Sequence, residues 1–188
     1  MRYMQEGGFQ NNPLMRLTLA LTLGLLVLFW VTNVAMYFSR MDLRPSSVVA
    51  YYNGSEEDFR PPRSAASMLE TTHMHLPMMG MVLLFLTHLL IFAPLSRGAK
   101  VAVITTAFVG ALLEEGAGWL VRFVNPGFAP LKVAGFLALQ GALLVLIGSL
   151  ASFLVAAARR QAAQRAAGAR EKKLDTLHEE GAVHAALE

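Results

Sequence analysis

The chain has 188 residues, a formal net charge of +3 and 55% hydrophobic residues. This length is typical of one domain, and so apolar a composition excludes an ordinary soluble protein, so we expect the bilayer to be its solvent. The sequence has no cysteine. That absence excludes disulfides, thiolate zinc sites, iron–sulfur clusters and haem held by thioether bonds, and any metal must bind histidine, methionine, carboxylate or backbone groups.

Four apolar stretches predict an all-α protein, an integral membrane bundle of four transmembrane helices. Each stretch has about 20 residues, which is enough to cross roughly 30 Å of hydrocarbon as a helix. The predicted spans are residues 14–38, 74–95, 101–121 and 133–157. They form a predicted transmembrane domain over residues 1–158. We expect lipid as its surroundings and no nucleic-acid partner.

The distribution of lysine and arginine predicts the orientation. Ten of them lie before or at the start of the first span, as Arg2 and Arg16 do, between the second and third spans, or after the fourth, whereas six lie on the opposite side. Because basic residues concentrate in cytoplasmic loops, we expect both termini in the cytoplasm, in a bacterial inner membrane. Residues 39–72 then form an external loop, and turn signals such as Asn53-Gly54 leave room in it for a short interfacial helix or a docking surface.

The C-terminal segment, residues 159–188, is predicted to be a charged cytoplasmic tail. Its alanine-rich composition favours helix, so we expect the fourth helix to continue out of the membrane. Six basic residues and one acid lie between Arg159 and Lys173. A basic helix at this position is attracted to anionic headgroups. An ordinary positive-inside tail and a specific lipid or partner site both fit this pattern.

Histidine and methionine concentrate where the second span begins. Three of the five histidines, His73, His75 and His88, fall within 19 positions together with four methionines. Ionisable side chains inside a membrane segment are costly and mark a function or a bonded partner. His73 and His88 are about 20 Å apart along a helix and share a face better than His75 and His88 do. Pro77 leaves that choice open because it can kink the helix.

Two histidines at this interval on one transmembrane helix resemble the integral-membrane b-type cytochromes, whose two haems lie near opposite faces of a helical bundle. Ala134, Gly141 and Gly148 recur at heptad spacing, and such small residues admit either a macrocycle or close helix packing. The resemblance covers one helix. It implies haem b, held by His73 or His75 on one side and by His88 on the other, and electron transfer within or across the bilayer, with a quinol as candidate partner. If the chain is an enzyme, this interpretation makes it a quinol-linked oxidoreductase.

The other three spans contain no histidine. Two axial histidines per haem therefore require a homodimer, and the alternative is a methionine as the second ligand. The methionine candidates are Met36, Met78 and Met81, and the candidate partners of haem propionates are Arg60, Arg63 and Arg122.

A second interpretation uses the same segment as a metal site. Glu70 and His73 have the i, i+3 spacing that places two ligands on one helix face. Together with His75 and a glutamate of the third span they are candidates for a divalent metal or an iron pair. Met78 and Met81 beside the histidines instead suit Cu(I), which prefers thioether and imidazole ligands. This interpretation predicts a Cu, Fe or Zn protein for metal transport or metalloenzyme assembly, and a third is a structural subunit of a larger complex.

Two adjacent carboxylates, Glu114 and Glu115, lie within the third span. Counted from its outer end they are roughly 14 Å deep, where an unpaired carboxylate is costly. Adjacent helical positions point about 100° apart, so the two cannot face one partner. We expect one to bond to a histidine and the other to line a proton or quinol path. Two neutral glutamates bonded to neighbouring helices fit equally well.

Overall fold

The computed structural model describes residues 13–57 and 59–185, with the side chains of residue 13 and of residues 171–185 left undescribed. The described residues are almost entirely helical and contain no strand. The helices are α1 Pro13–Arg40, α2 Pro45–Asn53, α3 Ala65–Leu90, α4 Arg97–Phe123 and α5 Ala129–Ala185, with a 3₁₀ turn at Pro126–Phe128. Four of the five are long and apolar enough to cross a membrane. The prediction of an all-α membrane bundle is confirmed.

The second membrane helix, α3, is placed differently from its prediction. It begins at Ala65 rather than at residue 74, because the Ser64 side chain accepts a hydrogen bond from the Ser67 amide and caps the first turn. It ends at Leu90 rather than at residue 95. Glu70 therefore lies inside the helix, and His88, which the predicted span 74–95 places well inside it, lies in the last turn.

The loop before α3 contains a short helix, α2, one side of which packs against the bundle. Val48 and Tyr52 of α2 are buried, and Tyr52 packs against Gly118 of α4, where a Cβ would lie 2.6 Å from the tyrosine hydroxyl. After α2 the chain turns at Gly54, which has φ +86°, and a Cβ there would lie 2.6 Å from a backbone oxygen. Only glycine adopts this conformation without strain.

Residues 22–150 form one compact unit, in which α4 and α5 cross at backbone contact. A Cβ added at Gly110 would lie 2.8 Å from the Leu139 amide nitrogen, and one at Gly135 would lie 2.6 Å from the Glu114 nitrogen. Small residues at such crossings let transmembrane helices approach closely. The tight crossing depends on Gly110 and Gly135.

The series Ala134, Gly141 and Gly148, predicted as a packing or cofactor face, lies elsewhere. All three residues are exposed, and a Cβ at either glycine would meet no atom within 4 Å. The close crossing of α4 and α5 therefore uses Gly110 and Gly135 rather than this series, because helix rotation is set by the neighbouring helices and not by spacing alone, and the cofactor face stays a prediction.

The described residues 13–21 and 151–185 belong to a second compact unit. Within its described part, the Arg16 guanidinium donates a hydrogen bond to the Gln161 side chain. The helix that carries Gln161 continues to Ala185, the continuation expected of the fourth helix. Arg2 and residues 186–188 lie outside the described residues, and the cytoplasmic position of both termini stays a prediction.

Candidate functional site

A cavity of about 230 Å³ lies among the ends of the helices within the unit 22–150. All five helices contribute to its walls, at the end of the bundle where α1 ends and α3 begins. Aromatic side chains form much of the apolar wall: Tyr37, Tyr52, Trp119 and Phe136. Tyr37 stacks on Phe136 with ring centroids 3.6 Å apart. Two polar groups are set into this surface.

The first polar group is a buried ion pair between α4 and α5. Lys132 has 4% of its surface exposed, and its ammonium donates to both the carboxylate and the main-chain oxygen of Glu114. The Lys132 nitrogen also lies 5.8 Å from the Tyr52 ring centroid. A buried charge is tolerated when it is paired and hydrogen-bonded in this way. Glu114 therefore has a permanent partner inside the bundle.

The second polar group centres on Glu115 and joins α4 to α3. Its carboxylate accepts a hydrogen bond from the Thr72 hydroxyl, and its second oxygen lies 3.2 Å from Nδ1 of His75. The Trp119 indole donates to the Thr72 hydroxyl over 3.0 Å. Glu114 and Glu115 thus face different partners, as their 100° offset predicts. An imidazole bonded to a carboxylate is a pair that can take up or release a proton.

Two arginines and a tyrosine, Arg40, Arg63 and Tyr51, form the rim of the cavity. Arg40 donates to the Tyr51 hydroxyl over 3.3 Å, and the Arg63 guanidinium carbon lies 5.4 Å from the Tyr51 ring centroid. The Arg63 backbone is held on both sides, by the Tyr52 carbonyl at 3.0 Å and by the Arg122 side chain at 2.9 Å. Next to the rim, burial raises the pKa of the Tyr52 phenol, so this hydroxyl stays protonated at neutral pH.

The structure separates the predicted site residues into two groups. Those that line the cavity are Met36, Arg63, His75, Met78, Glu114 and Glu115. Those with exposed side chains away from the cavity are Arg60, Glu70, His73, Met81 and His88. Arg122 does not line the cavity but supports the rim through the Arg63 carbonyl. His73 and His75 therefore point to different sides of α3, because positions two apart on a helix differ by about 200°.

This separation bears on the predicted metal shell of Glu70, His73, His75 and a glutamate of the third span. Glu70 and His73 are exposed, while His75 and Glu115 meet in the cavity. Among the described residues, no group of three or more histidines and carboxylates is placed to hold a metal ion. The predicted set is therefore not assembled within one chain.

Sequence reasoning missed several residues of the site, above all Lys132. Lys132 was counted only as one of the basic residues near a loop, although it stands at the start of an apolar stretch with Glu114 of opposite charge near the same membrane face. No sequence pattern marks Thr72 as a site residue. Trp119 lies near a span end, where aromatic residues usually mark the membrane interface, so its type did not indicate a site either. The opposite charges of Lys132 and Glu114 were the one usable clue.

Fold and site together define an integral membrane helical bundle with a cavity at one end, whose aromatic wall carries two polar groups. Residues 42–161 match the Aq_1264_TM family model, described as a transmembrane helical domain, and the chain belongs to that family. No curated protein and no solved structure matches the chain.

Proposed function

We propose that the protein binds a lipid-soluble quinol in the cavity and accepts its protons there, as a step in membrane electron transfer. The observation that carries this proposal is the His75–Glu115 pair on the cavity wall, bonded to Thr72 and Trp119. A quinol has a flat apolar ring and hydroxyl groups at both ends. The aromatic wall suits the ring, and the imidazole–carboxylate pair suits a hydroxyl.

The chemistry assigns separate tasks to the two carboxylates. Oxidation of a quinol to a quinone releases two protons and two electrons. The His75–Glu115 pair takes up the proton of one bound hydroxyl, because imidazole and carboxylate are suitable proton acceptors near neutral pH, and the second proton passes to solvent. Glu114 is engaged by Lys132 and holds the wall in place. The two electrons would pass one at a time to a one-electron acceptor, and a b-type haem, the cofactor that the sequence interpretation predicts, would supply that chemistry.

Access from the lipid supports a lipid-soluble ligand. Met36 on α1 and Met78 on α3 line the cavity, yet 45% and 58% of their surfaces are exposed. The cavity thus opens between these two helices, on the side that a bilayer would cover. Its volume of about 230 Å³ suits one substituted ring better than a haem macrocycle.

Quenching of tryptophan fluorescence by a short-chain quinone tests the proposal in detergent-purified protein. The chain has two tryptophans, of which Trp119 lines the cavity and Trp30 does not. We expect saturable quenching that disappears in Trp119→Phe. His75→Ala and Glu115→Gln should weaken binding, because each removes a hydrogen-bonding partner, while the matched control His73→Ala on the exposed side of α3 should leave it unchanged.

Two results would contradict the quinol proposal. One is quenching that rises linearly with quinone concentration in every variant, as collisional quenching in the micelle does. The other is equal binding of an analogue in which both oxygens are replaced by hydrogen, since such a ligand makes no use of His75 or Glu115.

Cu(I) binding is a second candidate, favoured by the methionines. Five of the chain's ten methionines line the cavity beside His75: Met36, Met41, Met68, Met78 and Met79. Thioether and imidazole are preferred ligands of Cu(I). Ag(I), which mimics Cu(I) without redox chemistry, should then bind and be lost in Met78→Leu/Met79→Leu but not in Met81→Leu. Quinone quenching that persists in the double variant would separate the two functions.

The positions of the histidines narrow the haem prediction to one arrangement. His73 and His88 have exposed side chains on α3, where a second copy of the chain would supply the second axial histidine of each haem. The proposal is therefore a homodimer in which each histidine meets its symmetry mate across the iron. A pyridine-haemochrome spectrum tests it: haem should be present in the parent and reduced in His88→Ala, whereas a parent without haem contradicts it.

A further inference from the structure

The charges that line the cavity do not balance. Three permanent cations, Arg40, Arg63 and Lys132, face two carboxylates, Glu114 and Glu115. Protonation of His75 adds to the surplus. A cavity with excess positive charge at the membrane surface favours an anionic occupant.

The surplus charge lies at the rim. Lys132 is bonded to Glu114, whereas within residues 13–57 and 59–170 neither Arg40 nor Arg63 forms an ion pair. The Arg63 Nε is buried and has no acceptor in the described part of the chain. Buried polar groups normally have a hydrogen-bond partner, so an unpaired guanidinium nitrogen marks a place where an acceptor is missing.

The rim is also held in position. The Arg63 backbone is fixed by its bonds to Tyr52 and Arg122, and Tyr51 stands in contact with both arginines. Two guanidinium groups and a phenol hydroxyl supply several donors around one space. The planar fork of arginine matches the oxygens of phosphate groups.

We propose that Arg40, Tyr51 and Arg63 bind the phosphate of an anionic membrane phospholipid. Arg40 is the last residue of α1, and Arg63 lies beside Arg122, which is about 10 Å further along α4 than Glu115. The rim is thus at the depth where lipid headgroups lie. The exposed opening between Met36 and Met78 gives the acyl chains an apolar path to the bilayer. The lipid proposal does not rest on the quinol proposal, because the phosphate would bind Arg40, Tyr51 and Arg63, whereas the quinol would bind His75 and Glu115.

Native mass spectrometry of delipidated protein in neutral detergent tests this site. Phosphatidylglycerol should bind more tightly than zwitterionic phosphatidylcholine, and inorganic phosphate at equal concentration should not compete. Arg40→Gln/Arg63→Gln should lower phosphatidylglycerol affinity at least about tenfold, since each arginine makes charge-assisted hydrogen bonds. The matched control is Arg60→Gln, because Arg60 lies in the same loop as Arg63 but is exposed and outside the cavity. The phosphatidylglycerol affinity of this variant should be unchanged.

The single variant Arg40→Gln keeps the test decisive if loss of Arg63 prevents folding. Arg40 is exposed, so its replacement should leave the fold intact and still weaken phosphatidylglycerol binding. Unchanged affinity in this variant overturns the proposal, and effective competition by inorganic phosphate shows a free-anion site and overturns the lipid assignment. His75→Ala should keep lipid binding while losing quinone, so the two proposals fail separately.

Discussion

The two ends of the unit 22–150 are held together by different means. At the cavity end, α3, α4 and α5 meet through the Glu114–Lys132 pair and the bonds of Glu115 to Thr72 and His75. At the opposite end α3 and α5 contribute buried leucines, namely Leu83, Leu86, Leu90, Leu143, Leu146 and Leu150. Side-chain hydrogen bonds and an ion pair thus join the helices at the cavity end, whereas apolar packing dominates at the opposite end.

The largest expected difference between the ends is the effect of breaking the buried pair. Lys132→Met leaves Glu114 buried without its partner and should destabilise the protein by about 3–5 kcal/mol. The double variant Glu114→Gln/Lys132→Met removes both charges and should recover much of that loss. Unfolding of the purified protein by denaturant measures both. If the single and double variants are equally destabilised, the pair does not act as a unit.

The glycine crossing gives the next effect, and here the chain offers a matched control. Gly110→Ala forces a Cβ against the Leu139 backbone and should cost about 1–3 kcal/mol by overpacking. Gly141→Ala meets open space and should be neutral or slightly stabilising, because alanine favours helix over glycine. Thermal unfolding of the two variants compares them. Equal loss at both positions would argue against backbone contact at Gly110.

Two threonines of α3, one near each end, allow a direct comparison of how much a side-chain hydrogen bond contributes to stability. Thr72→Val removes a donor to Glu115 and an acceptor for Trp119, and should cost about 1–3 kcal/mol. Thr87, at the opposite end, donates over 2.6 Å to Leu83 of its own helix, whose carbonyl is already bonded within that helix. Thr87→Val should therefore change the free energy of unfolding less. A larger loss at Thr87 would contradict the contrast between the ends.

The smallest effect concerns the turn between α1 and α2, outside the spans. Hydrogen bonds from the Arg44 side chain and backbone hold the pKa of Asp42 below its usual value of about 3.8. Because the folded pKa is lowered, this contribution is present above the unfolded pKa and is lost as pH falls through the folded one. Stability should therefore drop more between pH 6 and pH 3 in the parent than in Asp42→Asn. If the stability of the parent and of Asp42→Asn falls equally with pH, Asp42 does not contribute to the pH dependence.

Much of the bundle, but less of the cavity, is predictable from the sequence. The four spans follow from apolar length, because a helix must satisfy its own backbone in lipid. The start of α3 was not predicted, because residues 65–73 mix polar and apolar side chains. The helix begins there because Ser64 caps its first turn. His73 and His75 could not be told apart, since helix rotation is set by packing against α4. Lys132 and Glu114 lie on different helices, so their pairing depends on the tertiary structure and not on local sequence.

The contact between Gly135 and the Glu114 backbone also constrains how sequences of this family can vary. Lys132 stands about one turn before Gly135, so the backbone approach sets the distance that the ammonium must span. A side chain larger than glycine at position 135 would separate α4 from α5 and pull the charges apart. Among family members we therefore expect position 135 to stay small wherever positions 114 and 132 carry opposite charges, and all three to change together where the pair is lost.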